Sequence, residues 1–343
     1  MAQLQATVVT GSLYVSGSDA NIHELTVGRG AGSLDTNTAL GKSALVSNTT
    51  GTQNAALGRN ALTANSTGGF NTAIGSYTLP ANTVGASNTA VGFRALFLNT
   101  SGGNNTAIGR DSMLYNTAGG GNTSVGFSSL IQNTTGANNV ALGQSALACN
   151  TIGSSNVAVG VSALRSNTTG TYNISVGPQT LKANTVGQQN VAIGGISLYK
   201  NISGNYNVAV GINSLRYSLG DRNTAVGHQS LFCNTASNNT AVGFCALRSN
   251  TTGTQNTAVG YNALKSNTTG GCNTGLGTSA LGSNTTGQYN VAVGRGSLFG
   301  NTTGNSNTAL GFNSLNANTT ATNNTALGFR ALEDNTASNN TAV

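Results

Sequence analysis

Asn156-Val-Ala-Val-Gly-Val-Ser-Ala-Leu-Arg-Ser-Asn-Thr-Thr-Gly-Thr-Tyr172 runs directly into Asn173-Ile-Ser-Val-Gly-Pro-Gln-Thr-Leu-Lys-Ala-Asn-Thr-Val-Gly-Gln-Gln189. The two stretches align residue for residue, and the same 17-residue unit extends in both directions. Its opening, Asn-Thr/Val-Ala-Val/Ile/Leu-Gly, first stands at Asn37 and returns every 17 residues as far as Asn207. It then recurs at Asn223, Asn239, Asn256, Asn273, Asn290, Asn307, Asn324 and Asn340, giving 19 starts with three steps shortened to 16. A fixed period of this kind marks a repeat architecture and takes precedence over local readings.

Counting from each Asn as position 0, the columns divide by chemistry. Position +1 is Thr, Val or Ile in all but one repeat, +2 is nearly always Ala, +3 is always Val, Ile or Leu, and +4 is Gly. Position +8 is Leu except at Met113; +11 is Asn except at Ser218; +14 is commonly Gly. Branched and small residues alternating over five positions have the period of a strand. Gly at +4 and +14 predicts two turns, where positive φ or close backbone approach is free of penalty. The Leu segment between them is expected to form a second short strand. Repeats rich in Asn, Thr and Gly are poor helix formers, and their period is too short for helical solenoids. The expected fold is therefore all-β: a parallel β-solenoid or β-roll with one ~17-residue coil per repeat and about 19 coils over residues 29–343. The Val and Leu columns are expected to point inward. Identical Asn in successive coils are expected to ladder, since each amide carries both a donor and an acceptor.

Composition narrows the function. Charged residues are 6% of the 343, against about 25% in ordinary domains, while Gly numbers 48 and Asn 49. Two His and seven acids leave little for acid–base chemistry, so no enzyme, no catalytic residue and no cofactor is expected. His23 lies in the irregular start; His228 stands in column +5 without an acid in its repeat. The net charge of +7 is spread thinly, with no basic arm, which argues against nucleic-acid binding. Cys149, Cys233, Cys245 and Cys272 have neither zinc-site nor disulfide-framework spacing, and no metal site is expected. Gly28-Arg-Gly-Ala-Gly32 lacks the Gly-Lys-Ser/Thr of a phosphate loop and is expected to be a turn. No apolar run is long enough for a membrane span.

The unit Asn-Thr-Ala-Val-Gly-x-x-Ala-Leu-x-x-Asn-Thr-Thr-Gly resembles repeats of bacteriophage tail-fibre and structural proteins, notably from phages of marine bacteria. Leu25-Thr-Val-Gly-Arg-Gly-Ala-Gly32, leading into Asn37-Thr-Ala-Leu-Gly-Lys-Ser-Ala-Leu45, carries this resemblance. The repeat is also similar to that of the β-roll head of trimeric autotransporter adhesins, whose unit is shorter. The resemblance implies a homotrimeric virion fibre made in the host cytoplasm. Independently, the small residues at +2 and +4 suit close approach of three rolls around an axis.

Residues 1–28 lack the repeat and are expected to form an N-terminal cap or an attachment segment to other virion proteins, with Ala6–Gly17 as two short strands. The start has no signal-peptide pattern. Val343 falls within a repeat, so a longer protein is expected.

One surface row stands out. Column +9 reads Arg165, Lys182, Tyr199, Arg216, Phe232, Arg248, Lys265 in seven consecutive repeats. Stacked one per coil, these bases and aromatics form a candidate stripe for host-surface polysaccharide, through charge and ring stacking. A solvated face that keeps the rod soluble is the plainer reading of the same row. Column +5 is also aromatic, at Phe93, Phe127, Phe244, Tyr261, Phe312 and Phe329, and is expected to serve lateral contacts between subunits. Two other functions compete with the virion fibre. One is a bacterial surface adhesin of the trimeric type. The other is ice binding, which the switch of column +1 from Thr to Val or Ile between Asn139 and Asn207 disfavours.

Overall fold

A computed structural model describes residues 19–22, 25–32 and 34–343. Ala6–Gly17 and His23 lie outside the described residues, as does most of the 1–28 segment. The chain divides into two compact units, residues 1–118 and 119–343.

The first unit opens with an antiparallel hairpin, β1 (Asp19–Ile22) against β2 (Leu25–Gly28). Strand β2 runs antiparallel to β3 (Thr38–Gly41), with Val27 opposite Leu40. Thereafter every strand is parallel to the last and in register: β4 (Ala55–Leu57), β5 (Thr72–Ile74), β6 (Thr89–Val91) and β7 (Thr106–Ile108). The second unit repeats the arrangement from β8 (Thr123–Val125) to β21 (Thr341–Ala342), again parallel throughout. Each repeat supplies one strand and makes one turn of a β-solenoid. The shortened repeats keep the register, since Val208 still pairs with Thr224 and Thr224 with Thr240.

Each strand is only three residues long in most coils, and its parity fixes the interior. Asn at 0 and Ala at +2 face inward, so +1 and +3 face out. Ala73, Ala90, Ala158 and Ala209 are fully buried, whereas Ile74 is 39% exposed and Leu57 is 44% exposed. This corrects the expectation that the Val column fills the core: +8 Leu does so, but the +3 side chains stand outside. Two substituted coils show the same geometry from within. Where Ser replaces Ala at +2, its hydroxyl donates across the interior to the +7 carbonyl, Ser124 Oγ to Ser129 O at 2.9 Å and Ser175 Oγ to Thr180 O at 3.0 Å. The Ala column is thus an interior wall, and the small surface expected to bring three rolls together does not exist there.

The Leu segment is not a second strand. Positions +6 and +8 both take left-handed backbone, as at Ser162 (φ 55) and Leu164 (φ 50). Alternating left- and right-handed residues curl the chain tightly enough to aim Leu at the Ala wall. The conformation costs an L-residue about 1–2 kcal/mol. Complete burial of the Leu side chain returns about 1.5–3 kcal/mol, and Leu164 is wholly buried. The backbone is paired as well: Leu62 N donates to Thr78 O at 3.1 Å in the next coil.

Both Asn columns ladder as expected, in both units. At position 0, Asn71 N donates to Asn54 Oδ1 at 3.0 Å, and Asn71 Nδ2 donates to Gly85 O at 2.9 Å. At +11, Asn65 Nδ2 donates to Asn48 Oδ1 and to Gly68 O, each at 2.9 Å. In the second unit Asn150 Nδ2 donates to Asn133 Oδ1 at 2.9 Å. These amides are buried, so each bond also removes an unsatisfied polar group from a thin core. The two Gly columns differ in their reason. Gly160 at +4 needs positive φ (128), and a Cβ there would lie 2.6 Å from Gly177 O. Gly170 at +14 has no such φ, but a Cβ would meet Asn167 Oδ1 and Gly187 O, each at 2.4 Å.

Candidate functional site

Each residue of the +9 row follows a buried Leu, so the turn that seals the core also throws the next side chain toward the surface. In the second unit the seven row residues lie on successive coils. Arg165 is exposed, and the other six are half-buried against their neighbours.

The row resolves into two cation–aromatic groups. Lys182 Nζ and Lys200 Nζ each sit 5.7 Å from the Tyr199 ring centroid, on consecutive coils and in neighbouring columns. Next along the row, Phe232 is held between Arg216 Cζ at 5.8 Å and Arg248 Cζ at 5.6 Å. Tyr217 packs edge-on against Phe232 at 5.2 Å and takes Arg216 over its own ring at 5.2 Å. Arg248 Nε donates to Gln229 Oε1 at 3.1 Å, and Arg216 Nη1 to Asn213 Oδ1 at 3.4 Å. Arg216 Nε is buried without a partner. Each aromatic face that is covered by a cation is closed to stacking by a sugar on that side, so the open edge of the row is guanidinium and ammonium.

Lys265 ends the row beside a notch. Gly282 occupies +9 in the following coil, and the Phe299 ring of the coil after folds to within 3.0 Å of where a Cβ would stand. The hollow is about 350 Å³ and is lined by Lys265, Ser266, Ser279, Ser283 and Phe299. Lys200, Tyr217 and the Gly282 notch were not singled out from sequence. Their signals are a base or ring directly after a row member, and a Gly interrupting the row.

The local field is one-sided. Between Asp111 and Glu333 the chain carries nine bases and the single acid Asp221. Asp221 is engaged by backbone, accepting from Asn205 N at 2.7 Å. The arrangement is suited to an extended anion laid along the coils, held by ion pairing and salt-sensitive for that reason.

The +5 column stacks along itself. The exposed His228 lies over Phe244 at 5.4 Å, and Phe244 over Tyr261 at 5.4 Å, with planes within 13° and 10°. Phe312 and Phe329 repeat the geometry at 5.4 Å. The Gly28–Gly32 stretch is a turn: Ala31 N donates to Leu45 O at 3.0 Å, and a Cβ on Gly30 would come 2.8 Å from Leu45 Cβ. Among the described residues no group of three or more His, Cys, Asp or Glu is placed to hold a metal ion, and no helix is long and apolar enough to cross a membrane.

These features define the class: a tandem-repeat β-solenoid with a basic, aromatic row on one flank. No protein-family model matches the chain, and no curated protein matches it.

Proposed function

We propose that this chain is the repeat region of a bacteriophage virion fibre: a non-enzymatic, homotrimeric spacer that touches anionic host-surface polysaccharide along its flank. The observation that carries the reading is the use of the coil. Two Asn ladders, the Ala wall and the Leu stack all serve coil-to-coil stacking, and function is left to columns on the outside. Such a body extends by adding coils and resists bending through hydrogen bonds along its length. The resemblance of Asn37–Leu45 and its successors to phage fibre repeats supports the virion setting, with residues 1–28 as the link to other virion proteins. Similarity to the adhesin head repeat favours a second reading, a trimeric cell-surface adhesin. Immunogold labelling of source material with an antibody to the repeat separates them. Gold on thin appendages of phage particles is expected. Gold on the cell envelope with particles bare would overturn the virion reading and establish the adhesin.

A further inference from the structure

The outward +1 and +3 rows make a sheet face that none of the described residues covers. In the second unit Ile193 is 41% exposed, Val226 and Val242 36%, Val259 39% and Leu310 44%. Strand preference explains β-branched residues there, but it does not explain Leu at six of the 19 +3 positions, nor the absence of any charged residue at +1 or +3. Every Lys and Arg of the repeats lies in other columns, chiefly +5, +6, +9 and +10.

We infer that this sheet face is the seam through which copies of this chain associate, packing +1/+3 rows against +1/+3 rows; the inference rests on the reading of a self-associating fibre. Three observations select a second copy as the occupant. The first is charge: chains of net charge +7 repel one another, and this face, like the +12/+13 turn and unlike columns +5, +6, +9 and +10, brings no charge to the contact. The second is area. At roughly 60 Å² of open side chain per coil, the 14 strands of the second unit offer on the order of 800 Å², what one partner contributes to a standard stable interface and above the apolar patch of an ordinary monomer. The third is period. A row repeated once per coil in unbroken register is met coil for coil by neighbours with the same rise, three such faces turning toward a common axis.

Sedimentation velocity on the full chain tests the seam. The wild type is expected to run as a trimer at tens of micromolar. Val226→Thr, Val242→Thr and Val259→Thr together keep the β-branched shape and the strand while making the face polar. This variant is expected to dissociate at least tenfold more readily, with an unchanged far-UV spectrum. Val242→Lys alone, a stronger perturbation at an outward position, is expected to act in the same direction, which guards against a folding defect in the triple variant. If both variants keep the wild-type species, the seam is wrong and the fibre reading stands on another face. If the wild type is a monomer throughout, the seam and the trimer fall together. In that event binding of the wild type to ice or to crystalline polysaccharide, lost in the Thr variant, would assign the face to a solid lattice instead.

Discussion

Single residues in this coil carry duties that their neighbours cannot take over. Asn167 donates to Asn150 Oδ1 at 2.8 Å and to Gly170 O at 3.0 Å, and its own Oδ1 accepts from Asn184 at 2.9 Å. Asn167→Ala leaves buried partners unpaired and is expected to cost about 1–3 kcal/mol per orphaned group, read as lost amide protection in the flanking coils. The converse site is Ser218. It breaks the +11 ladder, leaving Ser218 Oγ and Asn201 Oδ1 buried and unpaired. The next coil is equally short yet holds Asn234, which donates to Ala236 O at 2.7 Å, so an amide fits a 16-residue coil. Ser218→Asn is expected to raise the melting temperature, by about 1 kcal/mol of added stability. No rise would show that the shortened turn cannot seat the amide. Gly160→Ala should be severe, because the methyl meets backbone and the φ is wrong for Ala. Loss of soluble folded protein is the expected result, and a melting temperature near wild type would refute the close-approach account.

At the scale of the element, the strand was legible and the turn was not. Alternation over Asn-Thr-Ala-Val-Gly gives a strand with two faces, but which face is inward depends on one residue of parity. Large apolar side chains at +3 argued for inward Val. The contrary signal lay in Asn at 0 and in Ser124 and Ser175, polar residues that replace Ala only where an acceptor waits inside. The Leu segment was misread because Leu, its constant residue, does not advertise left-handed backbone; the weaker signal lay at +6, where Asn60, Asn213, Asn262, Asn313 and Gly296 tolerate it. The +9 row, by contrast, followed from period alone, whereas its pairings into Lys182–Tyr199–Lys200 and Arg216–Phe232–Arg248 depend on how the long side chains lie across neighbouring coils. Replacing Arg165, Arg216 and Arg248 together with Ala is expected to weaken adsorption to anionic polysaccharide at least tenfold without changing the fold, and the residual binding should respond less to salt. Unchanged adsorption would leave the row as a solubility device. At the last complete coil, Arg330 bonds to Glu333 and holds that carboxyl below its ordinary range. A depressed carboxylate stabilises above its unfolded pKa and loses that support as pH falls through the folded one. Fraying of this coil, followed by hydrogen exchange, is therefore expected to begin only on acidification below the ordinary glutamate range, and to be small because the pair is exposed.

For the whole molecule, the repeat sets what the chain can be. A coil whose interior is Asn, Ala and Leu has no room for a ligand and no chemistry to offer one, so role moves outward to columns whose members differ from coil to coil. Column +9 varies toward charge and rings, column +5 toward stacked rings, and columns +1 and +3 hold to uncharged, mostly apolar residues throughout. That division rests on strand parity, which two matched variants of the full chain test directly. One carries Ala192→Lys, Ala225→Lys and Ala258→Lys, all at fully buried +2 positions. The other carries Ile193→Lys, Val226→Lys and Val259→Lys, one residue along, at positions 41%, 36% and 39% exposed. Thermal melts followed by far-UV circular dichroism should show the second variant folded, its transition lowered no further than loss of association between copies allows, and the first with its β signal lost. The reverse order, or equal damage from both, would contradict the inward Ala wall and with it the outward apolar face.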